Sequence, residues 1–117
     1  MGEFKIKRIY DTRSENDGYR VLVDRLWPRG ISKKTANLDE WNKEVAPSPE
    51  LRKWFNHKEE RFKEFEWKYR EELKDKKEEL DKLRQIAKNE TVSLLYAAKS
   101  PEINHAVVLK DVLLKGN

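Results

Sequence analysis

The sequence predicts an α/β fold, a small and mainly parallel sheet flanked by helices, and three observations carry that expectation. Within Tyr19 to Asp24 (YRVLVD) the apolar continuity of Val21-Leu22-Val23 suits a strand covered on both faces, as in parallel sheets packed by helices, and Thr91 to Ala97 (TVSLLYA) reads as a further buried strand. Between them, from Glu59 to about Lys88, the residues Phe62, Phe65, Tyr69, Leu73, Leu80, Leu83 and Ile86 recur at spacings of three, four and seven, which marks one long amphipathic helix. Strand, helices, strand, helix is the order of a layered α/β domain.

The elements follow in chain order. Phe4, Ile6 and Ile9-Tyr10 predict a first strand, and Asp11 to Gly18 (DTRSENDG) a polar loop with turn chemistry. After the second strand, Pro28 and Gly30 stop regular structure. Asn37-Leu38-Asp39-Glu40 reads as an Asn-led capping box opening a short helix through Trp41 and Val45. Ser48-Pro49-Glu50 reads as a helix start that puts Leu51, Trp54 and Phe55 on one side. In the long helix the aromatics cluster between Phe62 and Tyr69, whereas Lys74 to Glu79 (KDKKEE) carries no apolar side chain. Its first half is therefore expected to pack tightly and part of its second half to stay exposed. Ser100-Pro101-Glu102 repeats the cap-and-proline signal, and the last helix is expected over Ile103 to Leu114.

Composition narrows the function classes. The 117 residues, with no repeat and no long linker, predict a single domain over 1–117. No run approaches the ~20 apolar residues of a membrane span, and the N-terminus alternates polar and apolar residues, so a cytoplasmic protein without a membrane partner is expected. With no cysteine and two histidines, thiolate nucleophiles and Cys-ligated metal sites are excluded, and neither a metal nor a cofactor is expected. Charged residues make up 41% of the chain for a net charge of only +4, so most charges must interleave on solvated faces. Attraction to small anions is permitted; nucleic acid and oligomeric state are left open.

If the strands at 19–24 and 91–97 are parallel, their C-terminal ends share one edge, outside which ligands of such sheets bind. Asp24, Arg25, Trp27 and Arg29 leave the first strand at that edge. Tyr96, Lys99, Asn104 and His105 leave the second. The forked guanidinium groups of Arg25 and Arg29 suit bidentate binding of phosphate or carboxylate, with Trp27 as a planar cover. His105, about one turn into the expected last helix, and Asp24 are the groups suited to moving protons, while Lys99 adds charge near the helix start. His57 ranks below His105. Each has a plainer reading beside it: a structural ion pair for Arg25, packing for Trp27, a satisfied core position for His105. No phosphate-wrapping glycine loop and no nucleophile elbow is present. Two function classes stay open, a small enzyme acting on an anionic substrate and a non-catalytic anion-sensing or nucleic-acid-associated module.

DGYRVLVDRLWPRG, followed by LDEW, APSPELRKWF, the aromatic-rich long helix and LLYAAK with NHAVVL, resembles the YeaO-like branch of a widespread family built on a domain of unknown function, the DUF 488 grouping. The resemblance covers nearly the whole chain and implies a family without a function. Other branches look similar in carrying a D-x-R-x-x-P turn after the early strand and a cysteine-His-Arg element after the late one. Asp24, Arg25, Pro28 and His105 stand in similar places here, but Asn104 and Ala106 flank His105, so thiol chemistry does not carry over.

Overall fold

The computed structural model describes residues 2–116. Among them, β1 (Phe4–Arg8), β2 (Tyr19–Leu22), β3 (Glu40–Trp41) and β4 (Val92–Tyr96) form one sheet in the order β1-β4-β2-β3, with every pairing parallel. The helices are α1 (Lys33–Ala36), α2 (Pro49–Phe55), α3 (Phe62–Leu73), α4 (Lys77–Ala87) and α5 (His105–Lys115). The α/β expectation is thus met, and the two apolar runs are neighbouring strands.

Alternation along the strands divides the core. Val92, Leu94 and Tyr96 join Phe4, Val21 and Val23 in a main cluster with Phe65, Tyr69, Leu73, Leu80, Leu83 and the buried side of α5. Leu22 and Leu95 point the other way, into a smaller cluster with Ile9 and Ala36 that is closed by Trp27, Ile31, Leu38, Trp41 and Ala97. Both faces of β2 and β4 are therefore covered, which is why their sequences run apolar without a break.

Helical backbone continues from Glu59 to Ala87, but in four parts: a 3-10 turn (Glu59–Arg61), α3, a second 3-10 turn (Lys74–Lys76) and α4. The second tightening falls on KDKKEE, where no apolar side chain holds the helix in register against the core. The second half is not looser than the first: α4 buries Leu80 and Leu83 much as α3 buries Phe65 and Leu73, and both helices keep an exposed outer face that in α3 includes Trp67. The outer face carries ion pairs such as Lys68–Glu64, Lys74–Glu71 and Lys77–Asp81, each contributing a few tenths of a kcal/mol.

Two expected elements differ. Instead of opening a helix, Asn37 closes α1 in the left-handed region (φ 47°), and Glu40–Trp41 pairs with Val21 and Leu22 as an edge strand. The cause is Asp39, whose N–H donates to the Arg20 carbonyl (2.8 Å) while its carboxylate accepts from the Arg20 N–H (2.9 Å). Asn42 then caps the short turn Lys43–Val45. At the other end, Ser100 Oγ accepts from the N–H groups of Glu102 and Ile103 in a turn of its own, and α5 starts only at His105, with Asn104 as its cap. Ser48 does cap α2, accepting from the Leu51 N–H at 3.1 Å.

The polar loop before β2 hides a buried charge cluster. Ser14 and Asp17 form a reciprocal capping box, and Asp17, only 5% exposed, pairs with both Lys7 and Arg20. Arg20 is 3% exposed and donates further to the carbonyls of Asn37 (3.1 Å) and Ala36 (2.8 Å). Gly18 makes the entry to β2 at φ 64°, with a Cβ there falling 2.2 Å from the Thr91 carbonyl oxygen. No larger residue fits that approach.

Candidate functional site at the sheet edge

All four strands end on one edge, and there the chain gathers Asp24, Arg25 and His105. Asp24 continues β2: its Oδ2 accepts from the Ala97 N–H at 3.0 Å, linking it to the end of β4, and its carbonyl accepts from Trp41 Nε1 at 2.8 Å. Its Oδ1 is buried and lies 3.1 Å from His105 Nε2, which is also 2.9 Å from the Val23 carbonyl. Both neighbours of Nε2 are acceptors, so that nitrogen carries the proton. The hydrogen bond goes to Val23, and Oδ1 has no hydrogen-bond donor among the described residues. As the first residue of α5, His105 sits at the helix N-terminus rather than a turn inside it.

Arg25 turns back onto its own chain. Its Nε donates to the Pro47 carbonyl at 3.0 Å and its Nη2 reaches the Ala46 carbonyl at 3.4 Å. The segment it holds is fastened on both sides. Tyr69 donates its hydroxyl to the Val45 carbonyl, and Glu72 accepts from the N–H and hydroxyl of Ser48 at 2.9 and 2.6 Å. Residues 45–48 are thereby stitched to the edge of β2 and to α3. Burial, with Glu72 and Asp24 adding to it and Arg25 opposing, raises the Tyr69 phenol well above its ordinary pKa; the ring meets His105 edge-on, 6.1 Å between centroids. Tyr69 is therefore a neutral donor across the whole working range.

The other residues divide by exposure. Trp27 donates its Nε1 to the Ile31 carbonyl at 2.7 Å and meets Trp41 edge-to-face at 5.2 Å, a packing arrangement. Tyr96 is 3% and Asn104 1% exposed. Burial first, then Asp11, raises the Tyr96 pKa, with Arg8 and the Asn104 amide acting in the opposite direction. Asn104 accepts from the Val107 N–H and donates to the Ser100 carbonyl. Arg29 and Lys99 are exposed, and neither side chain has a partner among the described residues. His57 is exposed, at φ 55° just past the end of α2. Two residues at this edge escaped the sequence reading, Arg8 and Tyr10 at the end of β1. Their signal was the first strand itself, whose parallel pairing with β4 brings its end to the same place.

Among the described residues no cluster of three or more histidine, cysteine or acidic side chains is arranged to hold a metal ion, and no helix is long and apolar enough to cross a membrane.

Comparison with known proteins adds a family. A family model described as the inactive DUF488-N3 subclade, DUF488-N3i, matches residues 3–116. The chain belongs to this family. The chain is similar to the uncharacterized protein YeaO of Escherichia coli K12, 50% identical over 107 residues that cover 92% of this chain and 93% of the relative. The uncharacterized protein Rv3073c of Mycobacterium tuberculosis H37Rv is 42% identical over 109 residues, covering 93% and 92%. No solved structure matches. The resemblance to the YeaO-like branch is borne out over nearly the full DUF488-N3i match.

Proposed function

We propose that this chain is a non-catalytic member of its family whose sheet edge binds a small anion through Arg29 and Lys99 instead of transforming a substrate. One observation carries the reading: apart from Asp24 Oδ1, which is buried against His105, the polar atoms a catalytic centre would need are held by main chain. Asp24 receives the Ala97 N–H, Arg25 holds two carbonyls and His105 donates to Val23. The exposed cations that remain suit recognition without chemistry. Two further points support it. The family model is described as inactive, and the position where other branches resemble one another in carrying cysteine holds Asn104, buried and used as a helix cap. The cytoplasm suits such a module, since the chain has no cysteine that an oxidising compartment would pair.

Titration calorimetry with phosphate and pyrophosphate tests this. Binding is expected to weaken with salt, and Arg29→Ala is expected to lose about 1.5–3 kcal/mol, the worth of a charge-assisted contact. Asp24→Asn keeps the acceptor for Ala97 and removes a negative charge, so it should leave affinity unchanged or raise it. A wild type that binds neither anion, or an Asp24→Asn variant that loses binding, contradicts the reading.

A further inference from the structure

Tyr10 follows β1 at the same sheet edge, and although 42% exposed it is held by its hydroxyl at one end and by Arg8 over one face of the ring, which leaves the other face for a ligand. Its hydroxyl donates to the Arg29 carbonyl at 2.8 Å. The Arg8 guanidinium lies 4.8 Å from the ring centroid and is itself fixed, donating to the carbonyls of Ala98 at 2.8 Å and Ala97 at 3.3 Å. An exposed tyrosine ring ordinarily loses rotamer freedom when a ligand stacks on it; here folding has already imposed that order. The ring is a pre-set planar surface.

Two residues with cationic side chains are tied through backbone to its surroundings. The hydroxyl bond brings the Arg29 residue to one end of the ring. Lys99 follows Ala98, whose carbonyl anchors the Arg8 that covers one ring face. Both side chains are exposed and have no partner among the described residues. An inorganic anion meets only the cations and leaves the ring unused. A ligand with a flat aromatic part joined to phosphate uses both, through stacking on the aromatic face and charge-assisted contacts to the phosphate oxygens. We infer that the anion taken at this edge is a nucleotide, its base on Tyr10 and its phosphates toward Arg29 and Lys99. This rests on the anion-binding reading above and names the ligand class for it.

Titrations of the full chain with ATP and with inorganic tripolyphosphate separate the two levels. Wild type is expected to bind ATP about tenfold more tightly than tripolyphosphate, the contribution of one stacked base, although tripolyphosphate carries at least as much charge. Tyr10→Leu should abolish that preference and leave tripolyphosphate affinity unchanged. Tyr10→Phe, which keeps the ring and loses only the bond to Arg29, should retain most of it. Equal affinity for the two probes in wild type, or the same loss for both in Tyr10→Leu, overturns the nucleotide assignment and leaves anion binding standing. Failure of both probes to bind wild type overturns the two together.

Discussion

Asp17→Ala is expected to destabilise the fold by about 3–5 kcal/mol, because it leaves the Arg20 guanidinium buried without a counter-charge. Arg20 is 3% exposed beside the C-terminal end of α1, and the carbonyls of Ala36 and Asn37 accept hydrogen bonds from it without neutralising its charge. The same substitution removes the acceptor for Lys7 and the Ser14 N–H. Arg20→Met in the Asp17→Ala background should restore part of the loss, since no buried charge is then left over. Urea denaturation of both single variants and the double variant measures the coupling. Additive losses would mean that the pair is solvated in solution. The pH dependence follows from the same cluster. Burial alone raises the Asp17 pKa, but the Ser14 N–H, Lys7 and Arg20 outweigh it and hold the carboxyl below its ordinary value. A depressed folded-state pKa contributes stability that is present above the unfolded value and lost as pH falls through the folded one. Acid unfolding should therefore begin below about pH 4 and lose this component in Asp17→Ala.

Phe65→Ala is expected to cost a similar amount, about 3–5 kcal/mol for a buried aromatic truncated in a packed core. Phe65 is 1% exposed and stacks on Phe55 with centroids 4.2 Å apart and planes 20° from parallel, with Phe62 at 6.1 Å and Tyr69 at 5.6 Å. It is the joint between α2 and α3. Removing it opens a cavity beside Tyr69, the residue that holds Val45 and faces His105. The denaturation midpoint should fall with the slope unchanged, and the His105 ring resonances should shift with the loosened Tyr69. A loss below about 1.5 kcal/mol, the range of well-tolerated core swaps, would mean that the helix pair is not closely packed.

What the sequence disclosed, and what it hid, follows physical lines. The continuity of Val21-Leu22-Val23 and of Leu94-Leu95-Tyr96 reports covering on both faces, a property of the strand itself. Ser48-Pro49 likewise states its own cap. Glu40–Trp41 could not be read, because two residues carry no period and their place in the sheet depends on Asp39 meeting Arg20. The start of α5 was misplaced for a related reason: Ser100 caps a turn, and the helix waits for Asn104. At the site, residue types were legible and their partners were not. The run VLVDRLWPRG shows two arginines suited to anions, yet the carbonyls that engage Arg25 belong to residues 46 and 47, more than twenty positions away. Arg20 showed nothing of its burial, since the carboxylate and carbonyls that bury it, from Asp17, Ala36 and Asn37, lie outside its strand.

The division between the two arginines is the most direct point of test, with melting curves of Arg25→Lys and Arg29→Lys beside pyrophosphate titrations of each. Lysine keeps the charge and loses the planar fork. Arg25→Lys should lower the melting temperature by several degrees, as expected for a loss of about 1 kcal/mol, because the carbonyls of Ala46 and Pro47 lose their paired donor; pyrophosphate affinity should hardly change. Arg29→Lys should leave the melting temperature in place and weaken pyrophosphate binding. Unchanged stability in Arg25→Lys together with lost binding would show that Arg25 serves the ligand and not the loop, and would contradict the assignment of this edge.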